Sequence, residues 1–113
     1  MSDTAAYIDE RIRDALIPFG YRVEKNVFQH DDPIYFTFNY NTIGADFADD
    51  APGHVRYLIQ VHLFAPLDMS DLSLRASTAS ALLDAGFTFP DIWDFTDETG
   101  RHTVFEFEEA GGV

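Results

Sequence analysis

The sequence predicts an α+β domain in which a mainly antiparallel sheet of four to five strands is packed by two helices, in chain order α-β-β-β-α-β-β. Three observations carry this. Residues Val55 to Phe64 (VRYLIQVHLF) set Val55, Tyr57, Ile59, Val61 and Leu63 on one side at period two, with Arg56, Gln60 and His62 on the other, the pattern of a half-buried strand. Ile34 to Tyr40 (IYFTFNY) alternates in the same way, with Ile34, Phe36, Phe38 and Tyr40 against Tyr35, Thr37 and Asn39. Two further segments carry apolar residues at helical spacing.

The first of these opens the chain. Ser2 or Asp3 can cap a helix whose Ala5, Ile8, Ile12, Ala15, Leu16 and Phe19 share a face, and Pro18 and Gly20 stop it. Tyr21 to Phe28 reads as a first strand with Val23 and Val27 facing one way, and His30-Asp31-Asp32-Pro33 is a turn signal before the second. Asn41 to Gly53 has no periodicity and is expected to be a long loop, with Phe47 its single large apolar group among Asp46, Asp49 and Asp50. After the third strand, Ala65 and Pro66 break the pattern, and a helix-start signal spans Asp68 to Asp71. That helix is rich in small residues (Ala76, Ser77, Ala79, Ser80, Ala81) between Leu72, Leu74, Leu82 and Leu83, which lets it lie close on a sheet or a neighbouring subunit. Gly86 suits a left-handed C-cap. Phe87 to Thr96 and His102 to Phe107 flank Asp97-Glu98-Thr99-Gly100, a hairpin signal with Gly100 placed for a bulged turn.

Composition bounds what such a fold can do. At 113 residues, 46% hydrophobic, the chain suits one compact core, so residues 1–113 are expected to form a single domain. No apolar run approaches the roughly 20 residues that span a bilayer, so a soluble protein made in a cytoplasm is expected. The absence of cysteine excludes disulfides, thiolate nucleophiles and cysteine-type zinc sites. Charge is lopsided: residues 1–25 hold four of the seven bases against five acids, and the remainder holds three against fifteen. A net charge of −13 opposes binding to nucleic acid or anionic membrane, because both require Lys and Arg to neutralise phosphate.

The residues that could carry chemistry do not assemble into a motif. His30, His54, His62 and His102 lack the short spacings of a metal triad, and a lone strand histidine is more often a satisfied surface or core residue. Asp46, Asp49 and Asp50 miss the alternating ligands and closing Glu of a calcium loop, which favours a solvated loop. No Gly-x-Ser-x-Gly elbow and no phosphate-cradling glycine loop is present. Trp93 with Phe87, Phe89 and Phe95 could form an aromatic platform, but without neighbouring Lys or Arg the expectation is core packing, with Trp93 partly exposed. Phe47 either folds back onto the core or anchors a partner subunit.

In order along the chain, YFTFNYN (Tyr35 to Asn41), YLIQVHLF (Tyr57 to Phe64), LLDAGF (Leu82 to Phe87) and TGRHTVFEFE (Thr99 to Glu108) resemble the tail terminator and minor tail proteins of long-tailed bacteriophages and prophages. The resemblance covers most of the chain. It implies an α+β subunit with no catalytic residues and no cofactor or metal, which self-assembles into a ring, a hexamer, at the head-proximal end of the tail tube. It also implies tail-tube and head-completion proteins as partners, and a place in the virion tail after assembly in the bacterial cytoplasm. Asp46, Phe47, Asp49, Asp50, Glu106, Glu108 and Glu109 are the candidates for subunit contacts or for lining a channel that DNA passes without adhering. A different class of function, an acidic protein-binding module such as an inhibitor that mimics DNA, shares the charge but needs acids in phosphate-like rows and no ring. A small metal-dependent enzyme is the third possibility.

Overall fold

The computed structural model describes residues 4–27, 31–44 and 55–111. Helix α1 (Thr4–Leu16) continues into a 3-10 turn (Ile17–Phe19), where Pro18 removes a backbone donor and Gly20, at φ +86°, closes the end by donating its N–H to the Ile17 carbonyl. Strands β1 (Arg22–Lys25), β2 (Tyr35–Gly44) and β3 (Val55–Ala65) follow, then helix α2 (Leu72–Asp84), and then β4 (Asp91–Asp94) and β5 (Arg101–Gly111). The five strands form one sheet in spatial order β1-β2-β3-β5-β4. The chain is thus α+β, with two helices on a five-stranded sheet.

That sheet is mixed. β2 with β3, β3 with β5 and β4 with β5 run antiparallel, but β1 runs parallel to β2, with Arg22 opposite Tyr35 and Lys25 opposite Phe38. The His30 of the expected turn signal lies outside the described residues, and a tight turn between the two strands would have made this pair antiparallel. Instead Asn26, at φ +62°, turns the backbone out directly after β1. The expected order differs in a second respect, because the 3-10 turn intervenes between the first helix and the first strand. β1 is also shorter than the Tyr21 to Phe28 expected for it, and Asn41 to Gly44, expected to be loop, continue β2 in register with Leu58 to Val55 of β3.

The alternating residues of the three long strands meet row by row. Phe36 faces Leu63, Phe38 faces Val61, and Val61 and Ile59 face Phe105 and Phe107. With Ile8, Ile12 and Leu16 of α1, and Ala79, Leu82 and Phe87 at α2, they form the core. The helix-facing side of the sheet is therefore the one the period-two pattern marks. At the end of α2, Gly86 at φ +97° donates to Leu83 and Phe87 donates to Leu82, a Schellman arrangement that drives Phe87 into the core beside Leu82. Arg11 of α1 locks this corner: it bonds the Ala85 carbonyl at 3.0 Å, pairs with Glu109 at 2.8 Å and lies 4.0 Å above the Phe87 ring. Leu72 and Leu83, in contrast, are exposed; the buried residues of α2 are Thr78, Ala79 and Leu82, with Leu74 packed partly buried against the core.

The turn between β4 and β5 is built differently from the bulge expected. Glu98 and Thr99 form a two-residue connection between Asp97 and Gly100, and the Asp97 carboxylate accepts from both the N–H and the hydroxyl of Thr99. Gly100 does not have a positive φ; a Cβ there would lie 3.2 Å from the Ala65 carbonyl oxygen, so close backbone approach is what suits a glycine.

Candidate functional site

The two helices lie on one side of the sheet, and the opposite side carries its own ordered rows. Register sets Tyr35, Phe64 and His102 side by side across β2, β3 and β5. Their rings stack, Tyr35 on Phe64 at 4.7 Å and Phe64 on His102 at 4.3 Å. The next row is Thr37, His62, Val104 and Trp93, and the next is Asn39, Gln60, Glu106 and Asp91. His62 remains only 8% exposed although no helix covers it, because the larger rings around it shield it.

Hydrogen bonds stitch the rows together. His62 Nδ1 lies 2.8 Å from His102 Nε2, and His62 Nε2 lies 3.2 Å from Asn39 Oδ1. Neutral rings satisfy both contacts: His102 Nε2–H donates to His62 Nδ1, and His62 Nε2–H donates to the Asn39 carbonyl oxygen. Burial pushes the His62 imidazole down to about 4, with the neighbouring His102 adding to the effect. Burial also lowers His102, against the opposing pull of Asp97 and Asp94. Both rings are thus uncharged at neutral pH. Beside them, Gln60 Nε2 donates to Glu106 Oε2 at 2.9 Å.

These residues line a groove of about 560 Å³ formed by Gln60, His62, Trp93, Phe95, His102, Val104 and Glu106. Its outer wall is β4, all four of whose residues are exposed. Trp93 is 50% exposed, Phe95 56% and Phe89 62%, so Trp93 meets its expectation, whereas Phe89 and Phe95 stand outside the core expected to hold them. Only Phe87 is buried. Asp94, pointing to the other side, bonds the Thr96 N–H and receives Arg75 of α2 at 3.2 Å. The Thr96 bonds, and then Arg75, hold its carboxyl down at about 2. Arg75 also bonds Asp71, so one guanidinium fastens the edge strand to the start of α2.

The acids singled out in the sequence are distributed rather than gathered. Glu106 borders the groove, and Glu108 lies on the same face, paired with Arg56 at 2.9 Å. Glu109 lies on the helix side, paired with Arg11. Asp46, Phe47, Asp49 and Asp50 lie outside the described residues, as do His30 and His54. Among the described residues no group of three or more His, Asp or Glu side chains is placed to hold a metal ion, and no helix is long and apolar enough to cross a membrane. The groove lining offers apolar wall, amide, neutral imidazole and one carboxylate, with no hydroxyl or thiol among its residues.

Sequence reasoning missed His62, His102, Asn39 and Gln60 as a group. The signal was present in part, since Gln60 and His62 sit on the polar side of a strand that ends in Phe64. Their convergence depends on the β3–β5 register, which pairs residues 46 positions apart such as Gln60 and Glu106.

No family model matches the sequence, and no curated protein matches it. A solved structure bearing no functional name superposes with a TM-score of 0.62 over 100% of this chain and 97% of its own, at 14% identity. Likeness at that identity is of fold alone.

Proposed function

We propose that the chain is a self-associating structural subunit of a long-tailed phage or prophage tail, of tail terminator or minor tail type, that forms a ring at the head-proximal end of the tail tube. The observation that carries this reading is the apolar edge at β4, where Phe89, Ile92, Trp93 and Phe95 are 42–62% exposed beside an open groove. Several large apolar residues exposed along one edge strand favour an association surface there. Both edge strands are only four residues long, while β2 and β5 run on past them, leaving backbone edges that association can pair. Repetition of one head-to-tail contact closes a ring and covers every such edge. No reaction is assigned, and the tail-tube and head-completion proteins are the proposed neighbours. Glu108, exposed where β5 runs beyond β4, joins Asp46, Asp49 and Asp50 as a candidate for a negatively charged channel lining.

The DNA-mimic alternative has less support. It needs acids in a phosphate-like row, whereas Glu106 and Glu108 lie on one face and Glu109 on the other, each bonded to a partner in its own chain. Negative-stain microscopy of the protein mixed with isolated tail tubes tests the proposal. Rings capping one end of the tubes are expected; bare tube ends at saturating protein would overturn it.

A further inference from the structure

We propose that the groove behind β4 is a docking site for an arginine-bearing apolar segment of a partner protein, with Trp93 and Phe95 supplying ring faces and Glu106 the counter-charge. This names the chemistry of one contact in the assembly described above, and rests on that reading only for where the partner comes from.

Charge complementarity selects the occupant. The groove is walled by Trp93, Phe95 and Val104, and Glu106 is the single ionised group in its lining once burial keeps His62 and His102 neutral. Among the described residues, only Gln60 donates to the Glu106 carboxylate, and it does so to Oε2. The other acids nearby are Asp91 and Asp94 on β4 and Asp97 and Glu98 in the turn. Of the bases on the adjoining elements, Arg75 is engaged by Asp71 and Asp94, Arg56 by Glu108, and Arg101 donates to the Met69 carbonyl. An apolar site with net negative charge, open to solvent along an exposed strand, is suited to a side chain that is cationic at its tip and apolar along its stem. A planar guanidinium meets both demands, because it stacks on aromatic faces and pairs with a carboxylate. Flanking apolar residues of the same segment would cover the exposed parts of Trp93 and Phe95.

Trp93 is the single tryptophan of the chain, so its fluorescence reads the groove directly. The probe is the peptide acetyl-Ala-Leu-Arg-Leu-Ala-amide, compared with the same peptide carrying citrulline, the uncharged analogue of arginine. A saturable change in Trp93 emission is expected with the arginine peptide. Affinity should fall about tenfold with citrulline and by a similar factor in Glu106→Gln, since a charge-assisted bond is replaced by a neutral one. Glu108→Gln, outside the groove, should bind as the unaltered protein does. Glu106→Gln keeps an acceptor for Gln60, and the citrulline comparison needs no substitution, so a folding defect does not blunt the test. Equal binding of the two peptides, an undiminished Glu106→Gln, or no emission change at saturating peptide would overturn the proposal. The titration is run at low salt, where the chain is expected to be monomeric; an emission change there that depends on protein concentration without peptide would give the groove to a second copy of this chain and overturn the proposal as well. A protein that caps tail tubes yet ignores the peptide refutes the groove assignment alone; one that binds the peptide yet leaves tubes bare refutes the assembly reading alone.

Discussion

Burial holds His62 uncharged with a pKa near 4, against about 6.5 for an exposed imidazole. Because the folded value is the lower one, the unfolded chain binds more protons between these limits. Stability is therefore complete above about pH 6.5 and declines as pH falls toward about 4. For His62 alone, the loss between about pH 7 and about pH 5 is about 2 kcal/mol. Urea unfolding at the two pH values should show a loss smaller by that amount in His62→Gln than in the unaltered protein; equal losses would mean that His62 is solvated. The two arginine pairs that straddle the sheet differ in the same spirit. Arg11 and Glu109 are 13% and 23% exposed, and Arg11 also packs on Phe87, whereas Arg56 and Glu108 are about half exposed. Arg11→Ala should cost about 1–3 kcal/mol and Arg56→Ala less than about 1 kcal/mol in the same assay. A larger cost for Arg56→Ala would contradict the assigned burial. Individual side chains such as these were the least legible from sequence. Arg11 and Glu109 are 98 positions apart, and nothing in either segment announces the other.

At the scale of elements, β3 is the centre of the sheet, bonded to β2 on one side and β5 on the other. Ile59 lies at its middle and is fully buried against the helices. Ile59→Asp should abolish the cooperative melt, since an unpaired carboxylate in that position costs more than about 4 kcal/mol. A melt within a few degrees of the unaltered protein would show that this face is not the core. The long strands were readable because each buries one face and so must alternate. The parallel pairing of β1 was not, because partner choice between strands is non-local and β1 is too short to show a pattern. Asn41 to Gly44 were missed for a related reason: one apolar residue, Ile43, before a glycine is too little to show alternation, and β3 recruits the segment by supplying backbone partners. The exposure of Phe89 and Phe95 was hidden too, since an aromatic residue on an edge strand looks the same in sequence as one in a core. The groove was therefore legible only in pieces, as Trp93 and Phe95 of a possible aromatic platform and Glu106 among the candidate acids.

The whole molecule carries a net charge of −13 and, by the present proposal, an apolar edge that draws copies together. The first property sets expectations about nucleic acid. Counterion release on DNA binding requires several Lys or Arg contacts to phosphate, and the described bases Arg11, Arg22, Arg56 and Arg75 are bonded to acids of their own chain. A gel-shift titration with double-stranded DNA should show no retardation at physiological salt, and lowering the salt should not produce any; salt-sensitive micromolar binding would refute the reading of the surface as repulsive. The second property competes with the first, because copies carrying like charge repel one another until salt screens them. Multi-angle light scattering of the isolated protein across a salt series, and again with the tail-tube protein, measures that competition directly. The account predicts a monomer at low salt and a closed oligomer of defined mass at high salt or on the tube. A strict monomer at every salt concentration, with no mass added to the tube, would contradict it.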